Sequence, residues 1–123
     1  MSYSALVERH FLTPRNVGAL AAASDVIAAR RGAPAQGIEI ELSGGIADGR
    51  LIDLKQRVYG CPHAIAAASW LTERLAGASL ADLDAWSWRE AADALEVPPE
   101  KWGRLLVLED AVRALAREWR GRL

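Results

Sequence analysis

The sequence is short of the residues that disulfide and metal chemistry require. Among 123 residues there is one cysteine, Cys61, with two histidines, one methionine and one phenylalanine. A lone cysteine excludes an intrachain disulfide and agrees with a reducing compartment. Metal clusters and structural zinc are held by about four protein ligands. One thiol is therefore too few to hold either by itself.

Long apolar runs and a strong net charge are also absent. No stretch approaches the roughly 20 apolar residues that a membrane span requires, and the N-terminus lacks the hydrophobic region of a signal peptide. We therefore expect a cytoplasmic protein. The net charge of -1 gives no support to nucleic-acid binding. Four arginines crowd the C-terminus and predict a solvated helix face or, alternatively, a tail that docks an acidic partner: Arg113, Arg117, Arg120 and Arg122.

What is present suffices for one folded domain over residues 1–123, because half of the residues are hydrophobic. The first predicted element is a helix from Tyr3 to Phe11, which Ser2 or Ser4 caps and Pro14 ends. A short strand at Asp25–Ala29 follows, and then an antiparallel hairpin formed by Ile38–Leu42 and Leu51–Tyr59. A helix at Pro62–Ala76, ending at Gly77, follows the hairpin.

The C-terminal third is predicted to be helical. Ser79-x-x-Asp82 and Ser87-x-x-Glu90 resemble capping boxes and predict two short helices. Beyond Pro98-Pro99 a long helix carries one apolar stripe, formed by Trp102, Leu105, Val112, Leu115 and Trp119. The whole order predicts an α+β fold, in which helices pack on one side of a small antiparallel sheet of about three strands.

Five tryptophans stand in this short chain, at positions 70, 86, 88, 102 and 119. The stripe on the last helix predicts that Trp102 and Trp119 lie in the core. Trp86 and Trp88 lie in a weakly patterned stretch. We expect them to contact the core, and if one is exposed it is a candidate for a protein contact.

Cys61 lies where the strand pattern gives way to a helical one, in Gly60-Cys61-Pro62. The unpaired N–H groups at a helix N-terminus favour the thiolate, which is the form that attacks electrophiles or binds metal. Two interpretations stay open at this point. Cys61 is either a reactive thiol or a small buried residue that fills space under the helix.

A series of short segments, in the right order along nearly the whole chain, resembles the IscU family, also called the NifU N-terminal family. The matching segments are Tyr3-Ser4, His10-Phe11, Pro14-Arg15-Asn16-Val17-Gly18, Gly32-Ala33-Pro34-Ala35, Tyr59-Gly60-Cys61, Ala64-Ile65-Ala66, Thr72-Glu73, Pro98-Pro99-x-Lys101 and Glu109-Asp110-Ala111. Members of that family are scaffolds on which iron–sulfur clusters are built. The resemblance implies the IscU-type α+β fold and a place in iron–sulfur cluster assembly.

The resemblance also implies that most of the cluster ligands have been lost. Scaffolds of this kind carry a cysteine and an aspartate after Gly-Ala-Pro-Ala, a cysteine after Tyr-Gly, and a histidine followed by a cysteine at the start of the last helix. The corresponding positions here are Gln36, Ile38, Cys61, Gly103 and Arg104. One ligand of five survives. Arg104 would in addition repel a ferrous or zinc ion, because its guanidinium keeps its charge.

Three functional interpretations follow from this resemblance. The first is a non-catalytic binding or regulatory partner that docks a cysteine desulfurase, an active scaffold or another iron–sulfur assembly protein, and that holds no cofactor as an isolated monomer. The second is a thiol or persulfide carrier, in which Arg104 stabilises the Cys61 thiolate. The third is iron, zinc or cluster binding at low occupancy through a dimer or a partner, with His63 as a weak second donor. A histidine at a helix start is more often solvated or hydrogen-bonded than metal-bound.

The family's segment for recognition by a dedicated DnaK-type chaperone appears here as Val97-Pro98-Pro99-Glu100-Lys101. The prolines and the lysine are kept. Glu100 places a charge where the bound peptide enters an apolar groove, which disfavours chaperone recognition. The two prolines also suffice, by themselves, to begin the last helix.

Overall fold

A computed structural model describes residues 3–123 of the chain. Its elements are α1 (Ala5–Leu12), β1 (Val26–Ala33), β2 (Ile38–Ala47), β3 (Arg50–Tyr59), α2 (Pro62–Arg74), α3 (Leu80–Ala85), α4 (Trp88–Leu95) and α5 (Trp102–Gly121), with short 3₁₀ helices at Pro34–Gln36 and Pro99–Lys101. The strands form one antiparallel sheet in the order β1-β2-β3. Helix α5 packs on β1 and β2, and α2 packs on β3. The predicted α+β class and three-stranded sheet are confirmed.

Strand β1 is longer than predicted, because it runs to Ala33 instead of ending at Ala29. Two arginines and a glycine hid this strand from the sequence pattern. Gly32 has φ +81°, and a Cβ at this position would lie 2.3 Å from the carbonyl oxygen of Ile38. The backbone therefore bends closely against β2 at a point that only glycine tolerates.

The helix ends follow the predicted caps with small shifts. Ser4 caps α1 by accepting a hydrogen bond from Val7 N–H, whereas the alternative cap, Ser2, lies outside the described residues. Helix α2 ends at Arg74, two residues before the predicted end, and the chain turns at Gly77 with φ +77°.

The two predicted capping boxes have different outcomes. Ser79 and Asp82 form the first one in full. In the second, Ser87 accepts from Arg89 N–H, while the Glu90 carboxylate pairs with Arg74 on α2. Glu90 therefore ties two helices together instead of capping its own.

The core confirms one of the two tryptophan predictions for α5. Trp119 is buried, but Trp102 is 36% exposed, so its assignment to the core was wrong. The buried stripe of α5 begins one turn later, at Leu105. Trp102 instead packs on half-buried Trp88, with ring centroids 5.1 Å apart, and Trp86 is buried.

Three of the four C-terminal arginines, Arg117, Arg120 and Arg122, are exposed, which confirms the expected solvated face, but most of the four also have partners within the chain. Arg113 donates to the carbonyl oxygens of Leu83 and Trp86, Arg120 pairs with Asp84, and Arg122 donates to the carbonyl oxygens of Ala23 and Ser24. These contacts fasten α5 to α3 and to the segment before β1. Within residues 3–123, none of the helices combines the length and hydrophobicity needed to cross a bilayer.

Candidate functional site

Cys61 is the N-cap residue of α2 and directly follows the turn that leaves β3. Pro62 occupies the first helical position, where its missing N–H costs nothing. Gly60 makes the tight turn feasible, because a Cβ at that position would stand 3.1 Å from Cβ of Ala64. The thiol is therefore held at the N-terminus of a 13-residue helix, partly buried and partly open to solvent.

The surroundings of Cys61 lower the pKa of its thiol. Burial acts in the opposite direction and is the largest single influence. The backbone N–H of Ala64, the Arg104 guanidinium and the backbone N–H of His63 together outweigh it. The thiol makes no regular capping hydrogen bond, so these N–H groups act on the sulfur mainly by electrostatic attraction, which favours the thiolate.

Arg104 lies in the first turn of α5, and its guanidinium is near enough to Cys61 to help lower the pKa of the thiol. Its Nε is buried and has no hydrogen-bond partner within residues 3–123. The structure thus joins the two residues on which the thiolate hypothesis depends. A permanent cation stands where the resemblance expects a third thiolate ligand.

Of the two ordinary roles expected for His63, solvated or hydrogen-bonded, the first was wrong, because the side chain is buried. Its ring packs edge-to-face on Tyr3, with centroids 4.9 Å apart. Burial lowers the pKa of His63, as do the charges of Lys101 and Arg104, and only Glu100 opposes them. The imidazole is therefore neutral near pH 7. Within residues 3–123, however, no three His, Cys, Asp or Glu side chains lie close enough together to hold a metal ion.

The other three positions of the predicted ligand set contribute no donor of that kind. Gln36 is exposed on the first 3₁₀ helix, and Gly103 is exposed on α5. Ile38 is 7% exposed and lies against Gly60, where its Cγ1 would be 3.6 Å from an added Cβ. The site therefore combines a hydrocarbon wall, a thiol and a guanidinium.

The chaperone-contact segment is partly closed onto its own chain. Val97 is buried, and its carbonyl oxygen accepts a hydrogen bond of 3.0 Å from Nε1 of Trp102. Pro99 and Glu100 are exposed, and Lys101 is half-buried. Recognition of this segment by a chaperone stays a prediction.

A second polar cluster, which sequence reasoning missed, lies farther along α2. Ser69 is fully buried, and its Oγ lies 2.7 Å from Nδ1 of His10 and 2.7 Å from the backbone N of Arg15. Nearby, Nδ2 of Asn16 donates to Oγ1 of Thr72 at 2.9 Å. The available signal was a serine and a threonine on the otherwise apolar face of a helix.

Residues 2–123 match the profile of the "NifU-like N terminal domain" family. Two proteins named "Iron-sulfur cluster assembly scaffold protein IscU" are similar to the chain. The protein from Haemophilus influenzae is 37% identical over 99% of this chain and 98% of its own length. The one from Azotobacter vinelandii is 36% identical over 98% and 95%.

Two crystal structures resemble the fold at low sequence identity. A NifU-like N-terminal protein from Brucella abortus has a TM-score of 0.73 and 18% identity, covering 98% of this chain and 95% of its own. A putative iron–sulfur cluster assembly scaffold protein for the SUF system from Fervidobacterium islandicum has a TM-score of 0.72 and 14% identity, covering 93% and 96%. At such identities the likeness establishes the architecture alone.

Proposed function

The chain belongs to the NifU-like N-terminal domain family, and on that premise we propose that it acts in iron–sulfur cluster assembly as a non-catalytic binding protein. It docks a cytoplasmic partner of the pathway, such as the cysteine desulfurase or an active scaffold, and does not build a cluster alone. The observation that carries this proposal is the absence, among the described residues, of a group of side chains that could hold a metal, together with the influence of the Arg104 cation on the pKa of Cys61.

The charge of Arg104 supports the loss of metal binding more strongly than the missing ligands do. An absent donor lowers affinity but leaves room for water or a partner's ligand. A guanidinium close enough to act on the remaining sulfur repels a divalent cation and competes with it for the thiolate. The cluster, which is the cargo of the named scaffold relatives, therefore does not fit this donor set.

Anaerobic reconstitution with ferrous iron, sulfide and a cysteine desulfurase tests the proposal. The purified chain is expected to show no stable cluster absorbance after desalting, while it still co-elutes with a pathway partner. A cluster bound in stoichiometric amount by the monomer would refute it. Native mass spectrometry of the same samples identifies a cluster or zinc ion shared between two copies, which would replace the proposal with the interface alternative.

A second function is favoured by the lowered pKa and partial exposure of the thiol. As a persulfide carrier, the Cys61 thiolate attacks the terminal sulfur of a partner's persulfide. A new S–S bond forms at Cys61, the donor's own S–S bond breaks, and its electron pair leaves with the donor sulfur as a thiolate. The transfer needs no further oxidant or reductant.

Mass spectrometry after incubation with a persulfide donor tests the carrier. The intact chain should gain the mass of one sulfur atom, and Cys61→Ser should gain none. Reductant should remove the added sulfur. A wild-type chain whose mass stays unchanged at full donor turnover would exclude this function and leave the docking proposal standing.

A further inference from the structure

The two edges of the sheet differ in how far the chain covers them. The edge of β3 is paired at both ends. Gln56 exchanges backbone hydrogen bonds of 2.9 Å with Asn16 and Gly18, and Leu51 exchanges bonds of 2.8 and 2.9 Å with Ala78 and Gly77. The outer edge of β1 has no strand beside it within residues 3–123.

The direction of the free backbone groups on β1 follows from those bonds. Because Gln56 points its N–H and C=O away from β2, its cross-strand neighbour Leu42 points its own groups toward β1, where it pairs with Ala29. Backbone groups alternate in direction along a strand. Those of Ala28 and Arg30 therefore point out of the sheet, and both residues are exposed.

Two further hydrogen bonds support this assignment. Val26 N–H, two residues before Ala28, donates to Ala23 outside the sheet. The Arg30 carbonyl oxygen accepts a bond of 2.7 Å from the guanidinium of Arg31. The latter bond is solvent-exposed, so an incoming N–H can replace it at little cost.

The charge on this edge selects among occupants. Within the described residues, neither Arg30 nor Arg31 forms an ion pair. Glu41, the cross-strand neighbour of Arg30, pairs with Arg57 instead. A second copy of β1 would bring four arginines together on one strand pair, and such crowding of like charges disfavours the pair. An acidic segment would place carboxylates beside both guanidinium groups.

We propose that β1 accepts an extended acidic segment of another protein as a fourth strand, bonded to the outward backbone groups of Ala28 and Arg30 and paired in charge with Arg30 and Arg31. Strand addition to an exposed edge gives affinity through main-chain bonds and specificity through side-chain pairs. The bend at Gly32 limits the added strand to the part of β1 before it. This inference concerns a surface other than the Cys61 site and does not depend on the function proposed above.

Peptides of the same length as β1, 8 residues, test the proposal directly. The probe is acetyl-Thr-Val-Thr-Glu-Glu-Val-Thr-Val-amide, and the control carries Lys-Lys in place of Glu-Glu. The acidic peptide should slow amide hydrogen exchange at Ala28 and Arg30 and should bind more tightly than the basic one. Absence of binding at about 1 mM peptide, or protection elsewhere on the chain, would overturn the proposal and leave the arginines as guards against aggregation.

Three variants separate strand addition from general charge attraction. Ala28→Pro removes one outward N–H and keeps both arginines, and it should abolish binding. Arg30→Gln with Arg31→Gln should weaken the acidic peptide about tenfold and remove the preference over the basic one. Arg89→Gln, at an exposed position of α4, should change nothing. Unaltered binding by Ala28→Pro in a chain with a native circular dichroism spectrum would contradict the proposal.

Discussion

The two ends of helix α2 differ in how closely their residues resemble those of the family. The N-terminal end, at Cys61, has one sulfur donor, a guanidinium and a hydrocarbon side chain where the resemblance expects cluster ligands. Toward the other end, Ser69 and Thr72 hold the segment Pro14–Gly18 through hydrogen bonds to Arg15 and Asn16. Both ends lie near segments that resemble the family. Only at the Ser69 end do the side chains of α2 form hydrogen bonds with such a segment.

This difference separates residues that maintain the fold from residues that serve the cargo. Replacing Ser69 by an apolar residue would leave other buried groups without hydrogen bonds, and this would lower the free energy of unfolding. Cys61 makes no capping hydrogen bond, so a change at this end is expected to cost the fold less. The fold is therefore expected to depend more on the Ser69 end of α2 than on the Cys61 end.

The largest expected effect is the restoration of a metal site at the Cys61 end. The triple variant Gln36→Cys, Gly103→His and Arg104→Cys adds two thiols and one imidazole. With Cys61, the site would then have four donors, three thiols and one imidazole. We expect one zinc ion per chain, with a binding free energy on the order of 10 kcal/mol. Isothermal titration with a competing chelator measures it, and the wild-type chain should show no comparable binding.

The restored site has a control in its own background. Adding Cys61→Ala to the triple variant removes one of four donors and should weaken zinc binding by orders of magnitude. Position 38 is left unchanged, because its side chain is buried and a carboxylate there would be costly to bury. If the triple variant binds no zinc, the backbone around Cys61 has diverged along with the ligands, and the contrast between the two ends fails.

The second largest effect is expected at Ser69. Ser69→Ala removes a partner from Nδ1 of His10 and from the backbone N–H of Arg15. Two buried or partly buried polar atoms then lose a hydrogen bond, and the free energy of unfolding should fall by about 2–4 kcal/mol. Urea unfolding, followed by tryptophan fluorescence, measures the change.

Cys61→Ala is the matched substitution at the other end of the helix. It removes a small, partly buried side chain that makes no regular hydrogen bond, and should cost at most about 1 kcal/mol. Equal losses for the two variants would mean that the Cys61 end is as structural as the Ser69 end.

The sequence predicted the architecture well and the surroundings of the site less well. Alternation located β2 and β3, and caps such as Ser4 and Ser79 located helix starts, because these signals are local. Strand β1 was cut short since Arg30 and Arg31 face solvent at an edge. The burial of His63 and the exposure of Trp102 depend on which residues of other elements lie opposite them, which no local pattern specifies.

The third prediction concerns the pair formed by Cys61 and Arg104. Arg104→Gln removes a cation that lowers the pKa of Cys61, so the pKa should rise. The rate of alkylation by iodoacetamide near pH 7 should fall several-fold, and the midpoint of its pH profile should move upward. Lys101→Gln is the control, since Lys101 is absent from the groups that act on the sulfur. An unchanged profile in Arg104→Gln would mean that the helix N-terminus alone sets the reactivity.

The smallest effect is a dependence of stability on pH at the Ser69 end. Burial lowers the pKa of His10 below its ordinary 6.5, and Arg9 and Arg15 act in the same direction, while Glu73, with Oε1 3.5 Å from Nε2, acts against them. The unfolded chain therefore binds a proton at His10 more readily than the folded chain. Stability is constant above the unfolded value and declines as the pH falls below about 6.5, by less than about 1.4 kcal/mol per pH unit for this one group.

The carboxylate of Glu73 makes this last dependence testable. Glu73→Gln removes the one influence that raises the pKa of His10, so the decline in stability below about pH 6.5 should become steeper. His10→Gln should flatten it, because no titrating group is left at that position. Urea midpoints between about pH 7.5 and about pH 5.5 distinguish the variants. An unchanged decline in His10→Gln would show that the acid sensitivity arises elsewhere, and Ser69 would then hold a histidine whose charge has no influence on stability.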